Sequence, residues 1–214
     1  MTEIYAVRHG KTVWNQETKM QGKLNSPLTD EGINGAIDLR PQIRGKDITE
    51  VLVSPMPRAL QTAYLATEGK LPIKVEPLLR EMDLGIWEGV RAAEAYEEYP
   101  AEYDRFKSEA HLYTPIDGGE TFFEVDARVR ELIKKLTENE DNGPILLVTH
   151  QILVQTLLTI LEGRDVSTLR KTAVVEQTKL FRFMIDKPDE SGMTKAVILM
   201  RNGIPAKEEY FFKL

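Results

Sequence analysis

The chain of 214 residues contains no cysteine, which excludes a thiolate nucleophile, a disulfide and any thiolate metal site, and fits a reducing cytoplasm. Histidine is scarce too. Only His9, His111 and His150 are present, with neither an HExxH nor a DxDxT/V pattern, so a metal hydrolase or an aspartyl-phosphate enzyme has little support. The most apolar late segment, "ILVQTLLTIL" (152–161), is far short of the roughly 20 residues that span a bilayer. The N-terminal "MTEIYAVRHG" has no basic stretch followed by a long apolar one, so no signal peptide is expected. Lys and Arg are not in excess: the net charge of −6 argues against nonspecific nucleic-acid or anionic-membrane binding. An anionic ligand must then be held by locally clustered cations. No low-complexity tract, linker or internal repeat divides the chain, and a single domain over 1–214 is expected.

What is present alternates. Short β-rich runs, "EIYAV" (3–7), "EVLVS" (50–54), "ILLVT" (145–149), "LFRFMI" (180–185) and "KAVILM" (195–200), are separated by helical patterns. This order predicts an α/β fold: three layers, doubly wound, with a mostly parallel sheet and helices on both faces. One helix is expected from Thr29, as N-cap, to about Ile43, with Gly32 a weak point, and another from near Pro55 through "RALQTAYLA". After "GGET", the apolar series Phe122, Val125, Val129, Leu132, Ile133 and Leu136 predicts an amphipathic helix with Glu124, Arg128, Lys134 and Lys135 outward. Residues 90–110 read as a helical, acidic excursion from the sheet, broken at Pro100, of the kind that often shapes a substrate mouth.

Reactive side chains cluster where strands end. Arg8 and His9 follow the first strand, Arg58 follows the second, His150 follows "ILLVT", and Glu81 lies in "LLREMDLGIWEG". In open α/β sheets ligands bind at the carboxyl ends of parallel strands, so three of these four segments should converge on one edge.

The motifs "RHGKTVWN", "QGKLNSPLTDEG", "SPMPRALQTA", "LREMDLGIWEG", "GGET" and "VTHQ", in that order, resemble those of the histidine phosphatase superfamily, in its phosphoglycerate mutase-like branch. The resemblance covers residues 4 to about 151 and is uninformative beyond. It implies that His9 attacks phosphorus to form a phosphohistidine, that Glu81 is the general acid and then the base, and that His150 and Asn15 contact the transferring group. The local chemistry is coherent with that. Arg8 and Arg58 would disfavour protonation of His9 and neutralise the phosphoryl oxygens. The scheme needs no metal and no cofactor; its partner is a small phosphate ester.

Each residue also has a plain reading. Taken singly, His9 is a polar residue at a strand end, Arg58 a solvated first-turn residue, Glu81 a partner for Arg80 or Lys74, and His150 a satisfied histidine beneath the next helix. The ordered motifs favour the site for all four. His111 has no motif and reads as surface; Trp14 and Trp87 read as packing. Gly119 and Glu120 precede the amphipathic helix and are candidate substrate contacts, as readily a turn and a helix start.

Two positions depart from the usual family pattern. Lys11 stands where Glu or Gln is common, and Gln151 replaces a glycine; both are candidate substrate-binding residues. Lys11 would place a cation at the pocket rim and favour esters with a second anionic group, or it is merely a solvated loop lysine. The expected activity is metal-independent phosphomonoester hydrolysis. The alternatives are phosphoglycerate mutase-type transfer, which the resemblance disfavours because the chain lacks the longer insertions of the glycolytic mutases, and a catalytically silent phospho-ligand or protein-binding module. Oligomeric state is open.

Overall fold

The computed structural model describes residues 1–138, 143–172 and 174–214. Its strands are β1 (Thr2–Arg8), β2 (Glu50–Val53), β3 (Ile73–Val75), β4 (Ile145–Thr149), β5 (Leu180–Ile185), β6 (Met193–Arg201) and β7 (Ile204–Lys213). They form one sheet in the order β3-β2-β4-β1-β5-β6-β7. The pairings β3·β2, β2·β4 and β4·β1 are parallel, and β1·β5, β5·β6 and β6·β7 are antiparallel. The parallel character is therefore confined to one half of a mixed sheet.

Its helices are α1 (Val13–Gln16), α2 (Asp30–Ile37), α3 (Arg40–Ile43), α4 (Pro57–Thr67), α5 (Ala92–Glu98), α6 (Pro100–Ser108), α7 (Phe122–Thr137) and α8 (Gln151–Leu161). Side chains alternate across a strand, so β1 sends Ile4 and Ala6 to one face and Tyr5 and Val7 to the other. The first face packs on α7 and α8, the second on the α2–α4 side, giving the expected three layers.

Three expectations need correction. The helix expected from Thr29 to Ile43 is two: Thr29 caps α2, the chain turns at Asp38–Leu39, and Pro41, which has no amide hydrogen to continue a helical ladder, sits in the first turn of α3. Residues 90–110 are helical and restart at Pro100, but they are no mere excursion: Ala95, Phe106 and Ala110 belong to the larger core with Trp87 and Tyr113. Arg128, expected outward, is only 7 % exposed. Three- and four-residue steps from Val125 and to Leu132 put it on the apolar face of α7, where its charge is met by Glu120.

Candidate active site

Strand register builds the site. Arg8 pairs with Thr149 and Val53 with Val148, so β1, β2 and β4 end at one level. The next residues are His9, Ser54 and His150. The His9 amide donates to Thr149 O at 2.9 Å and the Ser54 amide to Val148 O at 3.0 Å, which extends the ladder one step beyond the strands.

His9 is 3 % exposed, and its Nδ1 lies 2.8 Å from Gly10 O. A carbonyl only accepts, so Nδ1 carries the proton and Nε2 keeps its lone pair. Burial first, then the charges of Arg58 and Arg8, hold the His9 imidazole well below the ordinary histidine range. The glycine after it is required by close packing: a Cβ on Gly10 would stand 2.5 Å from Gly32 O, and one on Gly32 would stand 2.1 Å from Lys11 O. The first turn of α2 thus abuts the turn that carries His9.

His150 is fully buried, its ring centroid 5.1 Å from that of His9, and its Nε2 lies 2.7 Å from Ser54 Oγ. Ser54 Oγ already accepts from the Met56 amide, so its own proton can go to Nε2, which assigns the imidazole proton to Nδ1. That Nδ1 has no partner among the described residues. Burial, then Arg58, His9 and Arg8, push the His150 pKa well down as well.

Arg58, in the first turn of α4, is 1 % exposed and donates to Leu24 O at 2.6 Å and Gly22 O at 2.8 Å. Burial lowers its pKa to about 10, with Glu81 opposing, so it stays cationic at neutral pH. Arg8 donates to Val175 O at 3.0 Å. Glu81 is half-buried and accepts from the Met82 amide at 3.0 Å. Neither cation suggested as a partner takes it, because Arg80 pairs with Glu120 and Lys74 with Glu50.

These residues surround a cavity of about 180 Å3 lined by Arg8, His9, Asn15, Arg58, Glu81 and Gln151, with Lys19, Lys107 and Arg170 among the remaining walls. Five cations meet one carboxylate there, in a protein of net charge −6. Four buried polar atoms around it, Arg8 Nε, Arg58 Nε, His150 Nδ1 and Arg170 Nη2, have no hydrogen-bond partner among the described residues. The arginines among them bring forked donors of the kind that match oxyanions to the side of an imidazole whose second nitrogen keeps its lone pair. Among the described residues no three His, Asp or Glu side chains gather as a metal-holding set.

Asn15 Oδ1 accepts from Thr12 N, Thr12 Oγ1 and Gln177 Nε2, leaving its amide nitrogen as the donor available to the cavity. Lys11 is elsewhere. It pairs with Glu31 at 2.6 Å and lines a separate groove on the other side of Arg8, so the expected cation at the pocket rim is absent at that position. Gly119 and Glu120 do not reach the cavity either. Gly119, at φ +97°, packs on the Asp83–Gly85 backbone, and Thr121 caps α7. Glu120 accepts from Arg80 at 2.5 Å, from Arg128 at 3.0 and 3.1 Å and from the Asp83 amide at 2.9 Å, while Arg128 also reaches Leu78 O and Arg80 O. This clamp fixes the loop that bears Glu81.

Sequence reasoning missed Ser54, Lys19, Lys107 and Arg170. Arg170, in a two-turn 3-10 segment (Val166–Lys171), lies within "STLRKT", which carries no pattern to single it out. Trp87 is a packing residue as expected, in contact with Tyr103, Phe106 and Tyr113, and His111 is exposed.

No helix among the described residues is long and apolar enough to cross a membrane. The chain is 28 % identical over 168 residues to phosphoserine phosphatase 1 of Hydrogenobacter thermophilus, covering 78 % of this chain and 79 % of that protein. It is 29 % identical over 164 residues to "Probable phosphoglycerate mutase GpmB" of Yersinia pestis, with 76 % of each covered. The solved structure of Bacillus stearothermophilus YhfR superposes with a TM-score of 0.83 at 32 % identity, over 87 % of this chain and 92 % of that one. The family match runs over residues 4–191, past the 151 or so that the motifs span, and thus takes in Arg170 and β5. By that match, the chain whose buried His9 lines an arginine-rich cavity, with His150 packed against it, belongs to the histidine phosphatase superfamily, branch 1.

Proposed function

We propose that the protein is a phosphomonoester hydrolase that passes the phosphoryl group of a small ester to His9 and then to water. The observation that carries this is the Nδ1–H to Gly10 O bond of a buried, neutral His9 flanked by Arg8 and Arg58. In the first step the Nε2 lone pair forms the N–P bond, the ester P–O bond breaks, and the leaving oxygen takes a proton from Glu81. In the second, the Glu81 carboxylate takes a proton from water, the oxygen attacks phosphorus, and the N–P bond breaks to restore neutral His9. Arg8, Arg58, the Asn15 amide and His150 Nδ1–H donate to the phosphoryl oxygens, where charge gathers in the loose transition state. General acid–base transfer by Glu81 contributes typically 10²–10⁴ in rate. No step requires a metal.

The cavity of about 180 Å3 lies below the roughly 300–1,000 Å3 of drug-sized ligand pockets, which favours a small ester over a nucleotide or polymer. The cysteine-free composition fits a cytoplasmic setting. The second reading, mutase-type transfer, is supported by the Yersinia relative's name. The test is incubation with p-nitrophenyl phosphate and with 3-phosphoglycerate, with and without EDTA, alongside His9→Ala. Phosphate release that resists EDTA and is lost in His9→Ala is the expected result. Interconversion of phosphoglycerates without release would establish the mutase instead, and no turnover of a broad ester panel would leave a binding module.

A further inference from the structure

Two arginines of the same half of the molecule make opposite use of their donors. Arg128 is saturated, with a carboxylate on one edge and two carbonyls on the other. Arg170 has no carboxylate partner among the described residues, yet it is held rigidly. Its guanidinium carbon lies 4.5 Å from the Phe106 ring centroid and 4.6 Å from that of Phe122, and its Nε donates to Phe106 O at 2.7 Å. A contact from Nη1 to Gln155 Oε1 at 3.4 Å is long, and Nη2, shut from bulk water, has no partner. Two aromatic faces and one carbonyl set the plane of this fork and leave its Nη2 donor unmatched.

Charge balance gives that donor a purpose. A bound phosphoryl dianion is compensated by Arg8 and Arg58, and a protonated Glu81 adds no charge. With Lys19 paired to Glu17, the positive charges of Arg170 and Lys107 are then surplus, and of the two only Arg170 is held in place, on the wall that α6 builds with Phe106 rather than at the strand ends where His9 and His150 lie. We propose that Arg170 is a specificity-determining residue that receives a second anionic group, carboxylate or phosphate, on the alcohol portion of the ester. This rests on the phosphatase reading of the cavity for its first anion. Arg170 supplies the forked donors that Lys11, committed to Glu31 outside the cavity, does not.

The test compares three esters on one three-carbon body: propyl phosphate, 2-carboxyethyl phosphate and propane-1,3-diyl bisphosphate. Wild type should show a kcat/KM at least about tenfold higher for one of the two bis-anionic esters than for propyl phosphate, and which one it is identifies the second group as carboxylate or phosphate. Arg170→Met should collapse that ratio by about tenfold or more, mainly through KM, and Arg170→Lys should restore part of it. No preference in wild type, or an equal fall on all three esters in Arg170→Met, would overturn the proposal. Calorimetric binding of the matching phosphonates to wild type needs neither turnover nor a folded variant. 2-Carboxyethylphosphonate or propane-1,3-bisphosphonate should bind at least about tenfold tighter than propylphosphonate, and equal affinities would overturn the subsite. Discrimination among phosphonates with no ester hydrolysed would overturn the hydrolase reading while supporting the subsite.

Discussion

His9 and His150 stand with ring centroids 5.1 Å apart and planes tilted by 59°, both sealed from solvent and both held neutral by burial and by Arg58. Protonating either places a third charge between two guanidinium groups. In the unfolded chain both titrate near the ordinary value of about 6.5, whereas in the folded chain they resist protonation to well below it. Between those limits the unfolded state binds more protons. The stability they contribute is therefore complete above about pH 6.5 and lost as pH falls, by up to about 1.4 kcal/mol per pH unit for each histidine. Urea midpoints from pH 7.5 to 5.5 should fall accordingly, with a shallower slope in His150→Asn. A flat profile would show that the imidazoles are not held neutral.

Glu81 faces the cavity with no cation of its own to pair with, which suits a proton donor to a poor leaving group. Glu81→Gln should lower the rate of phosphohistidine formation by about 10²–10⁴ for an alkyl ester. For p-nitrophenyl phosphate, whose phenolate departs without protonation, the single-turnover loss should be much smaller. Equal losses in rapid-quench measurements would remove the acid role.

The Glu120 carboxylate holds Arg80, Arg128 and the Asp83 amide at once and is 9 % exposed. Glu120→Gln leaves Arg128 without its counter-ion in the core and should cost about 3–5 kcal/mol in denaturant unfolding. Because the loop it clamps carries Glu81, the surviving folded fraction should be slow on alkyl esters while still binding phosphate.

Lys11→Gln breaks only a half-exposed ion pair with Glu31, outside the cavity. It should change kcat/KM for mono- and bis-anionic esters by the same small factor. A selective loss on the bis-anionic ester would mean that Lys11 swings into the site when substrate is bound.

The strand-end residues were legible because parallel strands whose ends are in register deliver whatever follows them to one edge; Arg8, His9 and His150 needed only that rule and the order of motifs. Arg128 was misread because charge was taken as a sign of solvent, whereas its helical spacing puts it on the apolar face, where Glu120 meets it. Arg170 was invisible for another reason: its place depends on Phe106 and Phe122, 64 and 48 residues earlier in the chain, and no local pattern records that meeting. β3 has only three residues, and β7 carries Pro205 and the charged run of Lys207, Glu208 and Glu209, the marks of an edge strand that has no clear apolar pattern in the sequence.

Five cations around one carboxylate also make the cavity a place of mutual repulsion, so any small oxyanion that enters acts as a folding ligand. Inorganic phosphate or vanadate should raise the melting temperature in a saturable, concentration-dependent way and slow turnover over the same range, with chloride at equal ionic strength doing neither. Buffers are thus not neutral toward this protein: in phosphate it will look sturdier and lazier than it is.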